Sequence, residues 1–238
     1  MKRIGERFES IMLPPYLPTT VLPYVVIHSA VSVDGRMDRL TIDMERYYSL
    51  IPTWKEDCTL CGSETMLQAG LAEWEHDGSS DPSNPIIAVV DGRGRFKGWS
   101  NVAPSPFWSR GVALSTTRTP QEHLELVRSS GADVIVAGDE YVDLRAALSE
   151  LASKYGVRTV RVDSGGTLNG ALLRAGLVDE VSVLVHPQLI GGRSPSSFLI
   201  ADDLGSGEEA VGAELMAVER LDDLVWLRYR LSSPDKGP

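Results

Sequence analysis

The stretch Val157–Pro187, VRTVRVDSGGTLNGALLRAGLVDEVSVLVHP, decides the fold. Val157, Val160 and Val162 make a short β-branched apolar run of the kind that forms a buried strand. Asp163-Ser164-Gly165-Gly166 interrupts that run. Leu168, Leu172 and Leu173, with Ala171 and Ala175, then give a helix one apolar face, and Gly176 stops it. Val181–Val185 is the next strand, closed by Pro187. A strand that runs through a glycine turn into a helix start is a cradle for phosphate, because the first N–H groups of the helix point outward and carry partial positive charge. Here Gly165, Gly166 and Thr167 would supply them. Such turns also occur in α/β proteins without any ligand, and the glycine pair alone leaves that alternative open.

With Asp163, Gly165, Gly166, Leu168, the run Leu177-Val178-Asp179-Glu180 and Pro187 in these places, the segment resembles the reductase domain of riboflavin biosynthesis, a family with the dihydrofolate-reductase-like fold. That family usually carries Glu-Gly-Gly where this chain has Asp-Ser-Gly-Gly. The resemblance implies a nicotinamide cofactor held by Ser164, Gly165, Gly166, Thr167 and Leu168, with Asp163 on the substrate side.

Working outward, Tyr24–Val33 is almost continuously apolar, as a central strand buried on both faces should be. It ends in Ser32-Val33-Asp34-Gly35, which by itself is an ordinary Asp-Gly turn. The family opens with a similar S-x-D-G, and the resemblance places Ala30, Ser32 and Asp34 near nicotinamide and substrate. His28 reads as a core histidine satisfied by a neighbour. Asp43 is the expected N-cap of a helix through Ile51. Cys58-Thr-Leu-Cys61 spells C-x-x-C, but it ends a strand instead of starting a helix, so two packed thiols are expected and not a redox pair. Gly62 to Thr65 repeats the strand–turn–helix pattern, and the family's glycine turn implies that Gly62 and Thr65 contact cofactor. Ala69 stands where the family usually has Asp.

Asp91-Gly-Arg-Gly-Arg95 is not a dinucleotide fingerprint, since the third glycine, Gly98, comes one position late and no helix follows. It reads as a hairpin-like loop, with Arg95 offered to the substrate beside Arg93 and Lys97. Thr119-Pro120-Gln121-Glu122 predicts a helix start with Thr119 as N-cap. The loop before it supplies hydroxyls, a cation and a helix N-terminus, a set that suits a phosphomonoester. Comparable loops in dihydrofolate-reductase-like folds hold the 2′-phosphate of NADPH, so Ser115, Thr116 and Arg118 are assigned to it, and Gly138, closing the next strand, to the same cofactor. Leu144, Ala147, Leu148 and Leu151 follow the helical template. Gln188–Gly212 reads as a mobile loop, and Leu215–Leu221 with Leu224–Leu231 as a hairpin across Asp222-Asp223.

Composition narrows the classes. The 238 residues are 42% hydrophobic and 24% charged, ordinary for a globular domain. A net charge of −10 argues against a nucleic-acid surface, and no apolar run reaches the length of a membrane span. No H-x-E followed by P-C-x-x-C is present, so no zinc deaminase centre accompanies the domain, and no metal is expected. The expected architecture is an α/β three-layer α/β/α sandwich with a mostly parallel central sheet and a C-terminal antiparallel hairpin. Residues 1–23 form an arm, 24–232 one domain and 233–238 a flexible tail. The expected activity is that of a cytoplasmic, homodimeric NADPH-dependent reductase. Its small-molecule substrate is a ribosylaminopyrimidine 5′-phosphate, reduced by hydride transfer to an imine carbon with Asp34 or Asp163 orienting it or relaying a proton. The alternatives are a reductase of another pterin-like, imine or carbonyl substrate, and a non-catalytic dimeric nucleotide-binding protein.

Overall fold

The computed structural model describes residues 21–70, 81–102, 105–193, 196–207 and 210–232. Most of the expected N-terminal arm, most of the loop after Trp74 and the C-terminal tail lie outside them.

Among the described residues nine strands form one sheet: β1 (Tyr24–Ser32), β2 (Cys58–Gly62), β3 (Ile86–Val90), β4 (Arg110–Ser115), β5 (Asp133–Val136), β6 (Thr159–Val162), β7 (Glu180–His186), β8 (Ala213–Leu221) and β9 (Leu224–Leu231). Their order is β5-β4-β3-β2-β6-β1-β7-β9-β8. The strands from β5 to β7 are parallel, and β9 and β8 add an antiparallel edge. This is the expected mostly parallel sheet with its terminal hairpin. β1 lies between β6 and β7, and eight of its nine residues are buried, which is why its sequence is apolar without alternation.

Among the described residues five helices cover the two faces: α1 (Met44–Ser49), α2 (Ser63–Gln68), α3 (Gln121–Ser129), α4 (Leu144–Tyr155) and α5 (Gly166–Arg174). On one face Leu148 and Leu151 of α4 and Leu168 and Leu172 of α5 pack on Ile27, Leu60, Val160 and Val162. The opposite face carries two separate apolar clusters. One gathers Met66 of α2 and Val127 of α3 on Cys61, Val89, Phe96 and Trp99. The other gathers Tyr47 of α1 and Trp54 on Val26, Ala30, Leu184 and Trp226.

Local signals held in most places. The Asp43 carboxylate accepts the N–H of Arg46 and caps α1. Gly156 closes α4 in the left-handed conformation, φ 71°, where a glycine meets no steric cost. Two readings change, at Thr119 and after Gln188, and β9 shows which of its faces is buried. Thr119 does not cap α3, which begins after Pro120; its hydroxyl instead donates to Gly92 O at 2.7 Å and accepts the N–H of Thr116 at 2.9 Å. In β9 the buried positions are Leu224 and Trp226, while Val225 is exposed, because the apolar cluster over β7 lies on the Trp226 side. The segment after Gln188 is not loose in its first half. Val33 N–H bonds Gln188 O, Met37 N–H bonds Ser196 O, and Ile200 N–H bonds Gly166 O.

Candidate active site

In a parallel sheet the carboxyl ends of the strands lie along one rim, where helices begin and ligands bind. β2 and β6 are neighbours, so the turns leaving them meet. Ser164 joins the two turns: its Oγ accepts the N–H of Gly62 at 3.1 Å and lies 3.2 Å from the Thr65 hydroxyl. A cleft of about 390 Å³ opens beside this joint. Gly62, Thr65, Ser164, Gly165, Thr167 and Leu168, all expected at the cofactor, line it together with Arg95. Sequence reasoning missed Tyr141, Val142 and Leu144, which close its far side.

The two glycines of the turn do different work. A Cβ built on Gly165 meets nothing within 4 Å, and no side chain caps the first turn of the nine-residue α5. That leaves an approachable helix N-terminus, which fits the pyrophosphate of a dinucleotide. A Cβ on Gly166 falls 2.2 Å from Ser197 O, and one on Gly170 falls 1.9 Å from Ile200 O. These two positions are glycine because the 197–200 segment lies directly on α5. Gly166 therefore serves the packing of that segment as well as the turn.

Ser115 and Thr116, expected at a phosphate, are buried, and the Thr116 hydroxyl lies within hydrogen-bond reach of Gly92 O and Thr119 Oγ1. Arg118 is exposed but donates from Nε and Nη2 to Asp139, which also accepts the Thr117 hydroxyl at 2.6 Å. Gly138 has φ 87°, and a Cβ there would strike Tyr141 O, so it shapes the turn that presents Tyr141 to the cleft.

Asp34 is engaged by its neighbours. Its Oδ1 accepts from the Ser32 hydroxyl at 2.7 Å and from Ile190 N–H at 3.1 Å, and its Oδ2 from Gly191 N–H at 2.7 Å. These bonds, the Ser32 one first, hold its carboxyl down to about 2. Asp34, expected to orient substrate or relay a proton, anchors the loop at Ile190 and Gly191 in this structure. Ala30 and Ser32 are buried at the end of β1.

Asp163 stands at the end of β6, between the turns that follow β2 and β1. Its Oδ2 accepts from Arg161 Nη1 at 2.8 Å and its Oδ1 from the Tyr47 hydroxyl at 3.2 Å. Arg161 and Tyr47 escaped sequence reading. The available signal was an arginine between Val160 and Val162 in a strand otherwise apolar. His28 is the satisfied core histidine expected: Nδ1 lies 2.9 Å from Ser182 Oγ, which accepts Trp226 Nε1–H, and burial lowers its pKa to about 4. Cys58 and Cys61 belong to cores on opposite sheet faces, so the C-x-x-C cannot close; burial pushes both thiols up.

Asp179 and Glu180, part of the motif behind the resemblance, brace the sheet. Asp179 Oδ2 accepts Val25 N–H at 2.6 Å. Buried Glu180 collects Arg228 Nε at 2.6 Å, the Tyr24 hydroxyl at 2.8 Å and Trp54 Nε1 at 3.0 Å.

The family model described as the RibD C-terminal domain matches residues 23–222. A curated relative from Methanothermobacter thermautotrophicus, 2,5-diamino-6-ribosylamino-4(3H)-pyrimidinone 5′-phosphate reductase, is 28% identical over 218 residues, 87% of this chain and 97% of its own length. A reductase of the same name from Archaeoglobus fulgidus is 30% identical over 187 residues, covering 72% of this chain and 83% of that one. Among solved structures, Acinetobacter baumannii RibD superposes with a TM-score of 0.68 at 23% identity, over 90% of this chain and 59% of that longer one. The Saccharomyces riboflavin biosynthesis reductase Rib7 superposes with a TM-score of 0.64 at 17% identity, over 89% of this chain and 90% of its own.

Proposed function

The chain belongs to the RibD C-terminal domain family, and from that premise we propose that it is the reductase of riboflavin biosynthesis acting on a ribosylaminopyrimidine 5′-phosphate. The observation that carries this reading is the open N-terminus of α5 at Gly165, facing a cleft framed by Gly62, Thr65 and Ser164. The bound nicotinamide supplies the hydride that reduces the imine carbon of the opened sugar. The chain's own residues hold and align. Gly165 and Thr167 take the pyrophosphate on backbone N–H groups, Thr65 and Ser164 offer hydroxyls, and Tyr141 offers its ring to the adenine. Arg95, which donates to Glu64 at 2.9 Å on the rim, is the cation proposed for the substrate phosphate. Asp163 orients the substrate at the rim end of β6.

NADPH is the proposed donor, with Arg118 as its 2′-phosphate contact once Asp139 releases it. A homodimer is supported by the edge hairpin. The bulge between Leu215 and Ala217 keeps Leu215 and Val218 on the side of Val225, and Leu215 and Val218 are more than half exposed. Such a patch favours a second copy. The two free buried thiols fit a reducing cytoplasm.

Thermal unfolding with either reduced nicotinamide tests the binding. Ligand at 100 times its Kd adds about 2.7 kcal/mol. Consumption of reduced cofactor on ribosylaminopyrimidine phosphate tests the reaction. No shift with either cofactor overturns the reading; a shift without turnover favours a nucleotide-binding protein. Solution mass gives the oligomer, and Val218→Glu is expected to yield monomer.

A further inference from the structure

A guanidinium occupies the middle of the sheet. In β6, Val160 and Val162 face the core under α4 and α5, so Arg161 turns to the opposite face. Its register neighbours are Thr59 on β2 and Val26 on β1. It lies on the line that divides that face into its two apolar clusters, and its side chain is only 4% exposed. A charge in such a place persists only when its partners are fixed around it.

Two carboxylates supply the partners. Arg161 donates to Glu56 from Nε and from Nη2, the latter at 3.2 Å, and to Asp163 from Nη1 at 2.8 Å. Glu56 is 7% exposed and is held in turn by the Thr59 hydroxyl at 2.9 Å. Asp163 is 31% exposed. The Arg161 pKa is raised: burial works to lower it, and Asp163 and Glu56 outweigh burial. The arrangement is asymmetric. One guanidinium faces two carboxyl groups, and Asp163 is the more exposed of the two.

We propose that Arg161, backed by Glu56, is a positioning residue that fixes the Asp163 carboxylate at the rim, leaving its free lone pairs for the substrate. Three observations carry this. The planar fork of arginine grips both acids at once, which a lysine cannot do. The second oxygen of Asp163 is tied to Tyr47, itself packed in the core, so both oxygens are referenced to rigid elements. Arg161 and Asp163 stand two apart on one strand, a separation at which the short aspartate side chain meets the guanidinium at 2.8 Å. A carboxylate at the rim suits a ligand that becomes cationic, as a protonated imine does. The inference rests on the reading of Asp163 as a substrate group.

The test uses the full chain and compares Arg161→Lys, the double variant Arg161→Met with Glu56→Met, and Asp163→Asn. Each is measured for thermal midpoint, for Kd of the reduced nicotinamide by fluorescence, and for kcat and KM on ribosylaminopyrimidine phosphate. The double variant replaces the buried pair by apolar side chains and should fold, since such exchanges are often neutral. With positioning lost, Arg161→Lys and the double variant should lose about 100-fold in kcat/KM while the nicotinamide Kd stays unchanged. A purely structural role would instead move the midpoint and the nicotinamide Kd together, and that result overturns the proposal. Normal kcat and KM in both Arg161 variants beside a damaged Asp163→Asn also overturns it, with the substrate role of Asp163 intact. If Asp163→Asn is itself fully active, the reading of Asp163 fails and the inference fails with it.

Discussion

The carboxylate of Asp34 accepts the backbone N–H of Gly191 at 2.7 Å, fastening the turn after β1 to the segment that runs on to α5. The same side chain holds Ile190, and a few residues on, Ile200 N–H bonds Gly166 O. One rim loop is therefore clamped at both ends. Asp34→Asn should leave the fold intact and speed hydrogen exchange at Ile190 and Gly191. In the folded chain these hydrogen bonds depress the Asp34 pKa to about 2, below the ordinary value of an aspartate. The clamp is present above about pH 4 and is lost as pH falls through about 2. Amide exchange at these two residues, followed from neutral to acid pH, checks it.

Gly165 and Gly170 should separate binding from stability. Nothing stands within 4 Å of a Cβ on Gly165, and its φ of −75° suits any residue. Gly165→Ala is expected to keep the thermal midpoint and weaken the reduced nicotinamide, because the methyl group enters the cleft. At Gly170 a Cβ would sit 1.9 Å from Ile200 O. Gly170→Ala should cost about 1–3 kcal/mol as the 197–200 segment is pushed off α5. For a chain of this size that is a midpoint drop of about 2–4 °C per kcal/mol. Melting curves and cofactor titrations of the two variants decide it.

These contrasts show what the sequence made legible. The parallel strands were readable because β1 and β7 are buried on both faces and carry runs of valine, isoleucine and leucine around a few buried polar residues. The cleft was readable at Gly62–Thr65 and Ser164–Leu168, where small residues stand between a strand and a helix. Side-chain direction was not. Whether the Ser115 and Thr116 hydroxyls face ligand or core depends on the rotation of one turn, and they are buried. Arg161 was passed over because a lone arginine in a strand reads as a surface residue until Glu56 and Asp163 are seen around it. In β9 the tryptophan side won burial over the valine side, because the partner cluster on β7 lies there.

Glu180 should matter for stability more than for turnover. Burial alone would raise its pKa, yet hydrogen bonds from Arg228, Trp54 and Tyr24 hold it below the ordinary value of a glutamate. A depressed folded pKa means that its contribution is present at neutral pH and is lost in acid, below that value. Glu180→Ala leaves Arg228 with 20% of its side chain reaching solvent, so the loss is smaller than for a fully buried pair. About 2–3 kcal/mol is expected at neutral pH, shrinking in acid. Denaturant melts of both proteins at two pH values measure it.

The proposed contact of Arg118 with a 2′-phosphate makes Asp139 the residue that tests cofactor choice. The guanidinium donates twice to Asp139, and the Thr117 hydroxyl donates to the same carboxylate. Those are the groups that an adenosine 2′-phosphate would use, and an anion already occupies them. The Arg118 bonds, with Thr117 second, hold the Asp139 carboxyl below its ordinary value, so it is charged at neutral pH and opposes a phosphate. Asp139→Asn removes that opposition and frees the guanidinium. The ratio of kcat/KM for NADPH over NADH should then rise by roughly ten-fold, a modest figure because both side chains are mostly exposed and screened. Arg118→Ala should act in the other direction, weakening NADPH far more than NADH. The gain in Asp139→Asn should shrink as salt is raised, since screening weakens exposed charges. Steady-state kinetics with both nicotinamides at two ionic strengths give all three results; equal losses of the two cofactors in Arg118→Ala would remove this loop from the cofactor site.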